Sequence, residues 1–145
     1  MVTWGAEPDW IQFELTETVF MEDPARALEA LVAVKQLGTR LFIDDFGVGH
    51  SSLSYLQRLP VDAIKIDQSF VTPLLESSGS AAIVRSAVDL GHELGLEVVA
   101  EGVESRVVWD RLAELGCDVV QGYFVARSMP VEQFNDWQST SSWRL

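Results

Sequence analysis

The chain has 145 residues, 48% of them apolar and 22% charged, which suits one domain with a real core and excludes a disordered chain. Its net charge of −12 excludes a general DNA or RNA binder, because phosphate backbones are held by an excess of Lys and Arg. The single cysteine, Cys117, excludes an intrachain disulfide and a cysteine-built zinc site. With no basic leader and no apolar run of membrane length, no membrane segment is expected and the location expected is cytoplasmic.

In chain order, Trp10 to Leu15 is a short apolar run that reads as a strand. A helix follows, with Asp23 as N-cap, Pro24 in its first turn, Leu28, Leu31, Val34 and Leu37 on one face, and Gly38 to end it. Arg40 to Asp44 is a second strand, Ser51 to Leu59 a short helix, and Asp62 to Asp67 a third strand. A longer helix runs from Ser80 to Leu94 and closes at Gly95, before the strand Leu96 to Glu101. Another helix, Ser105 to Leu115, closes at Gly116 and leads into the strand "CDVVQGY"; "MPVEQFNDWQ" adds a last helix. Five strands alternating with helices predict an α/β fold with a parallel sheet. No repeat in residue identity, long linker or second domain is visible. The order fits an open sheet or part of a barrel; a complete eight-stranded α/β barrel takes about 250 residues.

Each apolar run is followed by polar residues. The first ends at Glu14 and Glu17, the second at Asp44 and Asp45, and the third carries Lys65 and Asp67. The fourth ends at Glu101 and Glu104 and the fifth at Gln121. In α/β barrels the carboxyl ends of the strands converge on one face. Carboxylates there, with a lysine and an amide, suit a hard cation such as Mg²⁺ or Mn²⁺, and such an ion is what an acidic protein needs to receive an anionic ligand. A single aspartate after a strand is about as often only a cap or turn residue. Glu104 reads as opening the next helix and Asp67 as orienting a loop. Lys65 is different: it lies between Ile64 and Ile66 in a strand with both faces covered, so it needs a counter-charge.

Other signals carry less. "DFG" at Asp45 lacks the kinase catalytic loop, and "GVGHSS" lacks the lysine of a phosphate-binding loop. His50 and His92 read as isolated surface residues, the tryptophans as packing, and Cys117 as an inert core thiol.

"FELTET", "IDDFGVGHSSLSYLQRLPVDAIKID", "VVAEGVES" and "GCDVVQGYFVARSMP" closely resemble the second part of EAL domains, α/β-barrel phosphodiesterases that linearise cyclic di-GMP. The resemblance covers essentially the whole chain. It implies a partial, five-strand TIM-type β/α barrel over residues 1–145, the C-terminal part of the domain without its N-terminal strands. It implies a pair of divalent ions, Mg²⁺ or Mn²⁺, held by Glu14, Asp44 and Asp45, with Glu17 anchoring the loop after the double aspartate. Lys65 matches the lysine beside the attacking water, Glu101 the carboxylate near the second metal, and Gln121 the amide that positions the water. The implied chemistry is two-metal hydrolysis of cyclic di-GMP to the linear dinucleotide.

The resemblance also has gaps. The half of the domain that carries the family's naming motif, a substrate-binding arginine and a metal-binding asparagine is absent. Glu29-Ala30-Leu31 is a coincidence in a helix after "ELTE" and reads as a solvated stretch. His50 stands where the family usually has tyrosine, and Val48 where it often has threonine or alanine. The expectation is a phosphodiesterase portion that is inactive alone; the alternative is a degenerate, non-catalytic module binding cyclic di-GMP or a protein partner. Either way, cut sheet edges are expected to promote self-association or pairing with the missing barrel half.

Overall fold

A computed structural model describes residues 5–16, 23–49 and 56–143. After a single 3₁₀ turn (Pro8–Trp10) the elements are β1 (Gln12–Thr16), α1 (Pro24–Lys35), β2 (Arg40–Phe46), β3 (Ala63–Ile66) and α2 (Gln68–Val71). Then come α3 (Ser78–Glu93), β4 (Glu97–Ala100), α4 (Arg106–Glu114), β5 (Val119–Val120) and α5 (Val131–Thr140). All five strands are parallel and their order across the sheet is β1-β2-β3-β4-β5.

Local chemistry sets the boundaries. Asp23 caps α1 through the Arg26 amide at 3.2 Å, Asp67 caps α2 through the Ser69 amide at 3.0 Å, and Ser77 caps α3 through the Ser80 amide at 3.1 Å. Ser105, not Glu104, caps α4. β1 starts later than expected, because Pro8 to Trp10 turn before the chain enters the sheet. Only Val119 and Val120 of the run from Cys117 to Tyr123 are strand. The Gln121 carbonyl accepts from the Val103 amide at 3.1 Å and the Gly122 carbonyl from Val125 at 3.0 Å, so the chain turns there. Most of the helix expected over Ser51 to Leu59, and both Glu17 and His50, lie outside the described residues.

Alternation along the strands divides the core. Leu41, Ile43, Ile64, Ile66, Val98 and Ala100 pack with residues of the helices, including Leu31, Val84, Val88, Val108 and Leu112, in the main cluster. Phe42, Ala63 and Val99 form a second, small cluster on the opposite face. That face also carries Lys65, and with Gln12, Arg40, Glu97, Val119 and Gln121 it lines a cavity of about 440 Å³. The charged residues Arg40 and Glu97 meet there at 2.7 Å, spanning from β2 to β4 across β3, where Ala63 presents only a methyl group. No helix among the described residues is long and apolar enough to cross a membrane.

Candidate metal centre

Parallel pairing in near register brings the carboxyl ends of β1 to β4 together. Thr16 pairs with Asp44, Ile66 with Ala100, and Glu101 follows at once, its amide bonded to the Ile66 carbonyl at 3.1 Å. Glu14 and Asp44 lie two and four positions beyond Gln12 and Arg40 on the inward face, and Lys65 reaches the same face from β3.

Lys65 is the hub. It is only 2% exposed. Its ammonium lies 2.6 Å from Glu101 Oε1, 2.8 Å from Glu14 Oε2 and 3.1 Å from Asp44 Oδ1. Burial alone would depress its pKa; hydrogen bonds to Glu101, then Glu14, then Asp44 outweigh that and hold it above the ordinary lysine range. Lys65 is therefore charged at neutral pH, and the counter-charge its sequence position demands comes from three different strands. Glu14 is steadied further by Gln12, whose Nε2 donates to Oε1 at 2.9 Å.

Asp45 solves a geometric problem. Neighbouring residues of a regular strand point to opposite faces, so Asp44 and Asp45 should diverge. Instead the β2–β3 register shifts between Ile43 and Phe46, and Asp45 takes φ 54°, the one described non-glycine residue with positive φ. Aspartate tolerates this left-handed conformation better than most side chains. Gly47, at φ 98°, continues the turn; a Cβ there would come 3.1 Å from the Phe70 ring. As a result Asp44, Asp45 and Glu101 each place a carboxylate oxygen within 4.8 Å of the others.

Three anionic oxygens at that spacing can all reach one hard divalent ion, whose oxygen ligands stand about 2.0–2.6 Å from it. One ammonium already serves three of the carboxylates, so the donor set retains negative charge for such an ion. The residues fit a divalent metal.

Gln121 follows β5, its amide bonded to the Ala100 carbonyl at 2.8 Å. It lines the large cavity with Lys65 and a smaller one of about 280 Å³ with Glu101. That smaller cavity adds two residues the sequence did not single out, Gln68 and Tyr123, and also Glu104, which lines it instead of capping the next helix as expected. Gly102 and Gly122, each following a site residue, were the available signal. A Cβ on Gly102 would stand 2.5 Å from Gln68 Cβ, and one on Gly122 2.2 Å from the Val103 carbonyl oxygen. Glu29 is exposed on α1, away from all of these groups. The structure thus brings Glu14, Asp44, Asp45, Lys65 and Glu101 into one cluster, with Gln121 on the adjoining cavities.

The EAL domain model matches residues 4–128. The cyclic di-GMP phosphodiesterase RocR of Pseudomonas aeruginosa is 44% identical over 134 residues, covering 92% of this chain and 34% of RocR. The phosphodiesterase MucR of the same organism, solved in complex with c-di-GMP, superposes with a TM-score of 0.87 at 42% identity, covering 92% of this chain and 54% of that one. BlrP1 of Klebsiella pneumoniae, solved with manganese and cyclic di-GMP, gives a TM-score of 0.80 at 38% identity over 87% of this chain and 32% of that one. The chain therefore spans between about a third and a half of these relatives' length.

Proposed function

The chain belongs to the EAL domain family, carrying part of its TIM-type barrel, and from that premise we propose that it supplies one side of a cyclic di-GMP phosphodiesterase site. The observation that carries this reading is the cluster at the strand ends: Asp44, Asp45 and Glu101 within 4.8 Å of one another, beside a buried Lys65. Asp44 and Asp45, with Glu101 and Glu14, would hold Mg²⁺ or Mn²⁺. Such ions, when bound, polarise a water and neutralise charge at phosphorus.

The protein's own groups divide the remaining work. Lys65 holds the carboxylates together and keeps a fixed positive charge beside them, where a phosphodiester would gain negative charge during hydrolysis. Glu101 bridges Lys65 and the aspartate pair. Gln121 offers an amide that both donates and accepts, suited to orienting a water between the two cavities. Glu17 is proposed to anchor the loop after Asp45.

The inner face of the sheet is open, and β1 and β5 each pair on one side only among the described residues. We assign this chain the C-terminal part of the domain, with remaining ligands and substrate contacts on strands outside it. The chain alone is then inactive, and the further strands, or a second copy, cover its edges. Incubation of the isolated chain with cyclic di-GMP and Mg²⁺ or Mn²⁺ tests this. No linear dinucleotide is expected until the N-terminal portion of an EAL domain is restored, and Asp44→Ala should abolish the restored turnover. Metal-dependent turnover by the isolated chain, lost in Asp44→Ala, would refute the division of the site.

A further inference from the structure

Two aspartates at the opposite, amino-terminal ends of the strands do the same job in different halves of the sheet. Asp62, just before β3, accepts from the Leu41 amide of β2 at 2.8 Å, while its own amide donates to the Leu41 carbonyl at 2.8 Å. Asp118, just before β5, accepts from the Val98 amide of β4 at 2.8 Å, and its own amide donates to the Val98 carbonyl at 3.1 Å. Each carboxylate also binds a basic side chain from the last turn of the helix that precedes the clamped strand. Lys35 of α1 reaches both Asp62 oxygens at 2.6 Å, and His92 of α3 reaches Asp118 Oδ2 at 3.0 Å through Nε2. In both places the basic residue stands three positions before a glycine of positive φ, Gly38 or Gly95. The two clamps match residue for residue except in the cation. Lysine keeps its charge at any physiological pH, whereas histidine is the side chain whose charge changes near neutrality.

We propose that the His92–Asp118 pair is a proton-responsive tether for β5. β5 has only two strand residues and leads directly into Gln121, so the clamp at its start is a large share of what holds it. With a neutral ring the contact is a hydrogen bond. Protonation turns it into a charge-assisted one without moving a heavy atom, because Nε2 already faces the carboxylate. The other groups around the ring leave Asp118 as the partner. Asp89 and Glu93 lie exposed on the histidine's own helix. Cys117 engages the Val98 and Val119 carbonyls. On α4, which leads to Gly116 beside the ring, Arg111 and Glu114 pair with each other at 2.8 Å. Glu97 of β4 is paired with Arg40 on the far face of the sheet. The device concerns strand geometry and stands whether or not the phosphodiesterase reading does.

Amide hydrogen exchange on the intact chain at pH 8.0 and pH 5.5, corrected for intrinsic rates, tests it. The pair is partly exposed, so the expected effect is modest: the Gln121 amide gains about two- to five-fold protection at the lower pH. The Leu41 amide, in the lysine clamp, is the internal reference. His92→Gln should remove the pH response, and His92→Lys should give the high protection at both pH values. A wild-type response equal to that of Leu41, or one that persists in His92→Gln or His92→Lys, would overturn the proposal.

Discussion

Asp44 and Asp45 are adjacent in sequence yet point their carboxylates at one spot, because Asp45 sits at φ 54° in a register shift of β2. Conformational tolerance and ligand chemistry are therefore both required of that residue. Asp45→Asn keeps the tolerance and loses the charge, so thermal stability should stay within about 0.5 kcal/mol while Mn²⁺ binding, followed by electron paramagnetic resonance, falls at least tenfold. Asp45→Val loses both, and a β-branched side chain at positive φ should cost a further 1–2 kcal/mol or so in urea denaturation. Equal stability of the two variants would contradict the assigned strain.

Lys65 converts three repelling carboxylates into a cohesive group. Lys65→Met should destabilise the metal-free chain by about 2–4 kcal/mol, less than the loss of a fully buried pair because the carboxylates retain some water. The sign of the pH dependence follows from the raised pKa. The stabilisation is fully present below about pH 10, the ordinary lysine value, and is lost only as the pH rises beyond it. Urea midpoints for wild type and Lys65→Met should therefore differ by a constant amount from pH 6 to pH 9; convergence within that window would count against the charged hub.

Cys117 should be a poor nucleophile. Burial pushes its thiol up to about 11, so very little thiolate exists at pH 8. Alkylation by iodoacetamide at that pH should run at least about tenfold slower than for free cysteine and accelerate towards pH 11. In linkage terms a raised pKa means stability present below about pH 9 and lost as the pH climbs through 11, the opposite of what a depressed thiol would give. Rapid labelling of the native chain at pH 8 would show that the thiol is not shielded.

Gly122→Ala tests the close approach behind Gln121. Its Cβ would collide with the carbonyl oxygen and nitrogen of Val103, at 2.2 and 2.4 Å, and backbone cannot swing aside as a side chain can. A loss of about 2–3 kcal/mol is expected, together with faster exchange of the Gln121 amide. Gly79→Ala, on the first turn of α3 with only Ser77 Oγ nearby at 3.7 Å, is the matched control and should be close to neutral.

Much of this was legible in the sequence, for physical reasons that can be named. Strand alternation and helix caps such as Asp23 depend on neighbours a few residues away, and a lysine between isoleucines announces a missing partner. What escaped depends on distance in three dimensions. The bulge that re-aims Asp45 leaves no mark in "IDDFG" beyond the glycine. Gln68, Glu104 and Tyr123 share a cavity only because β3, β4 and β5 lie side by side, and His92 is isolated in sequence but bonded to Asp118 in space. β5 shrank to two residues because the Val103 backbone captures Gln121 and Phe124, a long-range competition that local propensity cannot register.

The strand order β1-β2-β3-β4-β5 has a kinetic corollary. Since every strand lies beside its predecessor in the chain, each pairing event closes a loop no longer than one strand–helix unit, and closure entropy rises only slowly with such lengths. The sheet can zip outward from β3, whose four residues are all buried, without waiting for a distant segment to return. Refolding on the millisecond scale, with β5 the last strand to acquire exchange protection, is the behaviour that this ordering implies.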